Sequence, residues 1–162
     1  RGWCRYQFFR DYRGAIADIE WLDSLLQYDI GYSVNADYHL NFAKAICYSA
    51  LHQHEKAVQI MLQQLNSKGY EPGLYDYFQL GVTYYRMGDY PQALVAFEKQ
   101  SGRNELADNA YYRCKLYKQL GKTAPYREWK EKALQLYRNN RRLFDPYNRQ
   151  FNSVYYETIW AE

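Results

Sequence analysis

Apolar and polar positions follow one another along most of this chain with the three-to-four-residue period of amphipathic helices. The clearest stretch is residues 74–100, LYDYFQLGVTYYRMGDYPQALVAFEKQ, where Tyr77, Leu80, Gly81 and Tyr84 share one helical face. Gly88 and Asp89 then interrupt the pattern. Ala93 and Phe97 put a small and then a large residue on the inward face of a second helix. Asp89 is placed to cap that helix, Pro91 is tolerated in its first turn, and Gln92 completes the outline of a capping box. The stretch predicts a helical hairpin with a tight turn.

Weaker copies flank it. Residues 37–51 predict a helix with Leu40, Ala43, Ile46, Cys47 and Ala50 on one side, and residues 55–67 predict its partner around Ala57, Ile60, Met61 and Leu65. His52-Gln53-His54 stands where the stronger copy has its Gly turn. Residues 105–120 predict another first helix through Leu106, Ala110, Cys114, Tyr117 and Leu120, ended by Gly121. Its partner runs from Thr123 through Trp129, Ala133, Leu136 and Tyr137. There Tyr126 occupies the place where alignment on Gly121 expects Ala, so a one-residue shift of register stays open. Near the start, Asp11, Tyr12 and Ala15 repeat the order of Asp89, Tyr90 and Ala93, so residues 1–29 read as a truncated unit and 30–36 as a loop. Pro146 breaks the chain, and a capping helix is expected over about 146–160, carrying Phe151, Val154, Tyr155, Ile159 and Trp160. A binding tail is the alternative reading of that segment.

Tyr48, Tyr84 and Tyr117 lie 36 and then 33 residues apart, and Ala57 and Ala93 lie 36 apart. With this spacing, the order Tyr77, Leu80-Gly81, Tyr84, Ala93, Phe97 resembles the tetratricopeptide repeat (TPR), whose period is about 34 residues. The resemblance implies an all-α fold: a right-handed superhelical solenoid of helix hairpins, with repeats at 37–71 and 72–104 and a divergent repeat at 105–140. In that family the first helices line the concave side. On that geometry His39, Phe42 and Ile46, then Tyr75, Phe78, Val82 and Tyr85, then Tyr111, Lys115 and Lys118 are expected to face a groove. Aromatics at one end and lysines at the other fit a peptide or protein segment. The same side chains equally serve to cover the seams between repeats. TPR proteins that grip the acidic tails of chaperones use Lys, Asn and Arg on this stripe. Here Phe42, Ile46, Gln79, Asp108 and Tyr112 hold the corresponding places, so that clamp is not expected.

Composition narrows the function class. With 20 Tyr and 48% hydrophobic residues the chain is not a disordered one. Its net charge of +3 is mild, and the arginines at 138, 141 and 142 complement a helix C-terminus, so no nucleic-acid partner is expected. No apolar run approaches a membrane span, and a soluble protein is expected. Cys4, Cys47 and Cys114 form no C-x-x-C pair and sit among apolar neighbours, which favours buried thiols and a reducing, cytoplasmic compartment. The chain starts at Arg1, without Met and inside a helical pattern, and reads as an excised piece or mature fragment whose targeting signal would lie upstream. His52 and His54 lack a third metal ligand, and no phosphate loop, Cys–His pairing or H-E-x-x-H occurs. The expectation is a non-enzymatic interaction scaffold with no cofactor or metal. Its competitor is a structural spacer, or a module that self-associates through aromatic ends such as Trp3, Tyr6, Phe8 and Phe9.

Overall fold

Helices of this length are marginal alone in water, so each one here is stabilised by the face it buries against a neighbour. The computed structural model describes residues 1–26, 28–33, 36–145 and 149–162. Among them the helices are α1 (Gly2–Cys4), continued by a π-helical turn (Arg5–Phe9), then α2 (Tyr12–Leu25), α3 (Leu40–Ala50), α4 (His54–Leu65), α5 (Asp76–Met87), α6 (Tyr90–Arg103), α7 (Ala107–Gln119), α8 (Thr123–Arg138) and α9 (Tyr156–Ala161). Helix α3 pairs with α4, α5 with α6 and α7 with α8, while α2 packs on α3, α4 on α5 and α6 on α7. The described residues contain no strand; an isolated antiparallel bridge joins Tyr32 and His39 at the entry to α3. The fold is all-α.

Local chemistry explains where the helices start and turn. The Asp11 and Asp89 carboxylates cap α2 and α6 by accepting the N–H groups of Gly14 and Gln92 at 3.0 and 3.2 Å. The turn into α2 and the turns within the α3–α4, α5–α6 and α7–α8 hairpins each pass through one left-handed residue: Arg10 at φ 54°, His52 at 62°, Gly88 at 81° and Gly121 at 67°. His52 therefore does the backbone work of the turn glycines from a side-chain-bearing position. Gly81 is needed for a different reason: a Cβ there would overlap the Phe97 ring, so the absent side chain lets α5 and α6 approach.

Three apolar clusters run along the molecule. The first joins α2, α3 and α4, the second α5, α6 and α7, and the third α7, α8 and α9. The C-terminal segment departs from the continuous capping helix expected over about 146–160. Among the described residues of that stretch helix is confined to Tyr156–Ala161, and residues 149–155 are non-helical, with Asn152 at φ 61°. The reason is competition for the backbone: amide and carbonyl groups that a helix would pair internally are bonded to side chains of α5 and α7 instead. Pro146 and Tyr147 lie outside the described residues.

Candidate functional site

Residues 149–162 lie along α3, α5 and α7, the first helix of each hairpin, and polar side chains hold them there. Asp108, in the first turn of α7 and fully buried, accepts the Leu143 N–H at Oδ2 and the Val154 N–H at Oδ1, both at 2.7 Å. Burial pushes its carboxyl up to about 6, with those two amides pulling the other way. Gln79, one turn into α5 and also buried, donates to the Tyr38 hydroxyl at 2.8 Å and to the Phe151 carbonyl at 3.1 Å. Its own carbonyl accepts the Asn152 amide, and Asn152 in turn accepts from Arg86 at 2.6 Å. The Gln150 amide donates to Asp37 at 2.7 Å, just ahead of α3.

Apolar side chains of the same segment enter the first and third clusters, and Leu143 ahead of it enters the second. Phe151 enters the first, with ring centroids 5.4 Å from Tyr6 and 6.1 Å from Tyr12, beneath the Arg10 guanidinium at 4.5 Å. Leu143 joins Phe78, Val82 and Phe97 in the second. Val154 and Ile159 pack with Ala107, Ala110, Tyr111, Ala133 and Leu136 in the third. Burying a side chain of this size fully contributes roughly 1.5–3 kcal/mol. At the far end Glu162 receives Lys118 at 2.9 Å and the Tyr111 hydroxyl at 3.2 Å, and its backbone carbonyl accepts the Tyr126 hydroxyl at 3.0 Å. Burial opposes ionisation of the Glu162 carboxyl, but the Lys118 and Lys115 ammonium groups hold it below the usual carboxylate range.

The residues expected to face a groove fall into separate neighbourhoods. Tyr85, Tyr111, Lys115 and Lys118 gather near Glu162, with Lys115 about 6 Å from the Tyr85 and Tyr111 ring centroids. Phe78 and Val82 are wholly buried beside Leu143, and Phe78 meets Tyr112 edge-on at 5.8 Å. Ile46 is buried beneath the loop that carries Phe151. His39 and Phe42 instead surround Tyr70, with centroids 5.6 and 6.4 Å away. His39 also caps α3 by accepting the Asn41 N–H, and its other ring nitrogen bonds Asp29 at 2.6 Å. Tyr75 is the N-cap residue of α5 and packs against Tyr38.

Sequence reasoning set Asp108 and Gln79 on the groove stripe only as residues unfit for a carboxylate clamp and passed over Asp37, and these three carry the polar contacts to the segment. The signal was present: a lone polar residue interrupting an otherwise buried helical face needs a partner, and Gln79 and Asp108 are such interruptions. What was not visible was that the partner is backbone some 45–70 residues further on. Among the described residues no group of three or more His, Cys, Asp or Glu side chains is placed to hold a metal ion, and no helix is long and apolar enough to cross a membrane. Comparison of the chain with protein-family models, curated proteins and solved structures finds no match in any of the three.

Proposed function

We propose that this chain is a TPR-type interaction scaffold, and that the concave face of its solenoid receives an extended polypeptide segment. Tandem hairpins, left-handed residues at the matching turns and the Gly81–Phe97 fit support the TPR reading, and the right-handed superhelix follows from it. The observation that carries the function is the seating of residues 149–155. A non-helical stretch lies across the first helices, with Gln79 and Asp108 bonded to its main chain. Main-chain contacts supply affinity with little dependence on sequence, while pockets for alternate side chains select it. A partner segment with an aromatic and two aliphatic anchors in the spacing of Phe151, Val154 and Ile159 satisfies the same face once the chain's own segment yields.

A labelled peptide of residues 143–162 tests this against the wild-type chain and a Phe151→Ala, Val154→Ala variant. The expected result is a variant that keeps its helical content and captures the peptide, while the wild type binds it far more weakly. A helical variant that captures nothing would overturn the proposal. The second reading is a structural module whose face is permanently closed, favoured by the complete burial of Phe42, Phe78 and Ile159. On that reading the double substitution unfolds the whole chain cooperatively.

A further inference from the structure

A cavity of about 510 Å³ opens between the 149–153 loop and the α3 and α5 hairpins. Its arginine and histidine lining comes from separate parts of the chain: Arg10 from the first turn, His52 and His54 from the second, Arg86 from the end of α5, and Arg149 from the loop. Among the described residues no Asp or Glu side chain contributes to the wall. The described ion pairs include neither Arg10 nor Arg86; their hydrogen bonds go to uncharged oxygens, the Tyr6 and Arg149 carbonyls for Arg10 and the Asn152 side chain for Arg86. Both guanidiniums are thus held in place without being neutralised. Burial, and after it the nearby Arg86 guanidinium, hold the His54 imidazole below its ordinary value.

The rest of the wall is mixed: Tyr12, Tyr112 and Phe151 supply its aromatic part, beside Ile46, Ala50 and polar side chains that include Ser49 and Asn152. Guanidinium forks match the oxygens of phosphate, and a cavity of several hundred Å³ exceeds what the anion alone fills. We infer that this cavity binds a phosphate monoester of a small organic molecule, with Arg10 and Arg86 on the phosphate oxygens and the organic body against the aromatic wall. The site adjoins the peptide face proposed above and shares Ile46 with it. It requires the chain's own loop to be seated, since Arg149, Phe151 and Asn152 line it. A bound phosphate ester therefore holds that loop closed and opposes capture of a segment in trans.

The test titrates the full chain with inorganic phosphate and with phenyl phosphate at matched ionic strength, with chloride as reference. Binding is followed by calorimetry and by the ring resonances of His52 and His54. Both probes are expected to bind and to shift those resonances, phenyl phosphate more tightly. Arg86→Gln is expected to weaken phenyl phosphate binding about tenfold, whereas Arg86→Lys weakens it less. Arg10→Gln tests the second fork. The resonances make the result independent of whether a variant folds well, because wild-type binding is read directly. No effect of either probe beyond chloride, or wild-type affinity in a helical Arg86→Gln, Arg10→Gln double variant, overturns the proposal.

Discussion

Val154 donates its backbone N–H to Oδ1 of Asp108 at 2.7 Å, although 46 residues separate them along the chain. Oδ2 of the same carboxyl takes the Leu143 N–H, so one buried side chain fixes the segment on both sides of residues 144–153. Removing it leaves two donors without an acceptor. Asp108→Ala is expected to destabilise the protein by roughly 1–3 kcal/mol for each orphaned N–H, read as a lower midpoint in urea unfolding. Asn at 108 keeps one acceptor oxygen and loses about half as much. An Asp108→Ala midpoint equal to wild type removes Asp108 as the clasp.

Acid stability carries the same residue's signature. Burial raises the Asp108 carboxyl to about 6, and an acid raised on folding favours the folded state while it is protonated. Its contribution is full below about pH 4 and is lost as pH rises through about 6. Across that window the wild type should lose up to about 3 kcal/mol relative to Asp108→Asn, which does not titrate. Asp29 and Glu162 run the other way: burial opposes it, but His39 and Lys118 hold their carboxyls below the usual range. The difference between the two proteins isolates Asp108 from them. A difference that stays flat from pH 4 to about 7 contradicts the assignment.

Gly81 and Phe97 make a second prediction. Ala is ordinarily the better helix former by about 1 kcal/mol, so Gly81→Ala on an exposed face would stabilise α5. Here the added methyl overlaps the Phe97 ring, which is itself fully buried. The expected net outcome is destabilisation of roughly 1–3 kcal/mol, largely relieved by combining it with Phe97→Leu. Thermal melts of the two single variants and the double variant measure the coupling. Additive effects would show that the two side chains do not meet.

The hairpins were legible in the sequence because their causes are local. Apolar spacing, the Asp89 cap and the Gly88 turn each act within a few residues, and the Asp11 cap of α2 repeats that of Asp89. The position of the C-terminal segment was not legible for a physical reason. Its apolar period over Phe151, Val154, Ile159 and Trp160 is compatible with a helix, and the competing main-chain bonds come from Gln79 and Asp108 far away. His39 was expected to face a groove on the geometry that the family resemblance implies. In the fold its ring caps α3 and bonds Asp29, a position that a helical wheel starting one residue later does not include.

Thiol chemistry separates the cysteines. Cys4 is exposed, whereas Cys47 and Cys114 are completely buried, and burial pushes their thiols up to about 12 and about 11. Only the thiolate is nucleophilic, so near pH 8 a maleimide should modify Cys4 alone in the native protein. The other two react after denaturation. Peptide mapping by mass spectrometry after a short pulse checks this, and native modification of Cys47 or Cys114 at the rate of Cys4 contradicts it.

The C-terminal segment itself gives the sharpest contrast between neighbouring residues. Phe151 and Ile159 are 6% and 0% exposed, while Tyr155 and Trp160 are 48% and 67% exposed, so large side chains in one short stretch have opposite environments. A continuous amphipathic helix would place Tyr155 and Ile159 on one face, four residues apart, and bury them together. The break at residues 149–155 instead turns Tyr155 outward, where the Arg149 guanidinium covers its ring at 4.5 Å. Phe151→Ala should therefore cost about 3–5 kcal/mol, because it opens a hole beneath Arg10 between Tyr6 and Tyr12. Tyr155→Ala and Trp160→Ala should each fall within about 0.5 kcal/mol of wild type. Amide exchange adds a readout specific to the segment: in Phe151→Ala the Val154 N–H should lose protection before the amides at the centre of α5 do. If Tyr155→Ala proves as damaging as Phe151→Ala, the segment is packed as a helix and the backbone clasp by Asp108 and Gln79 is wrong.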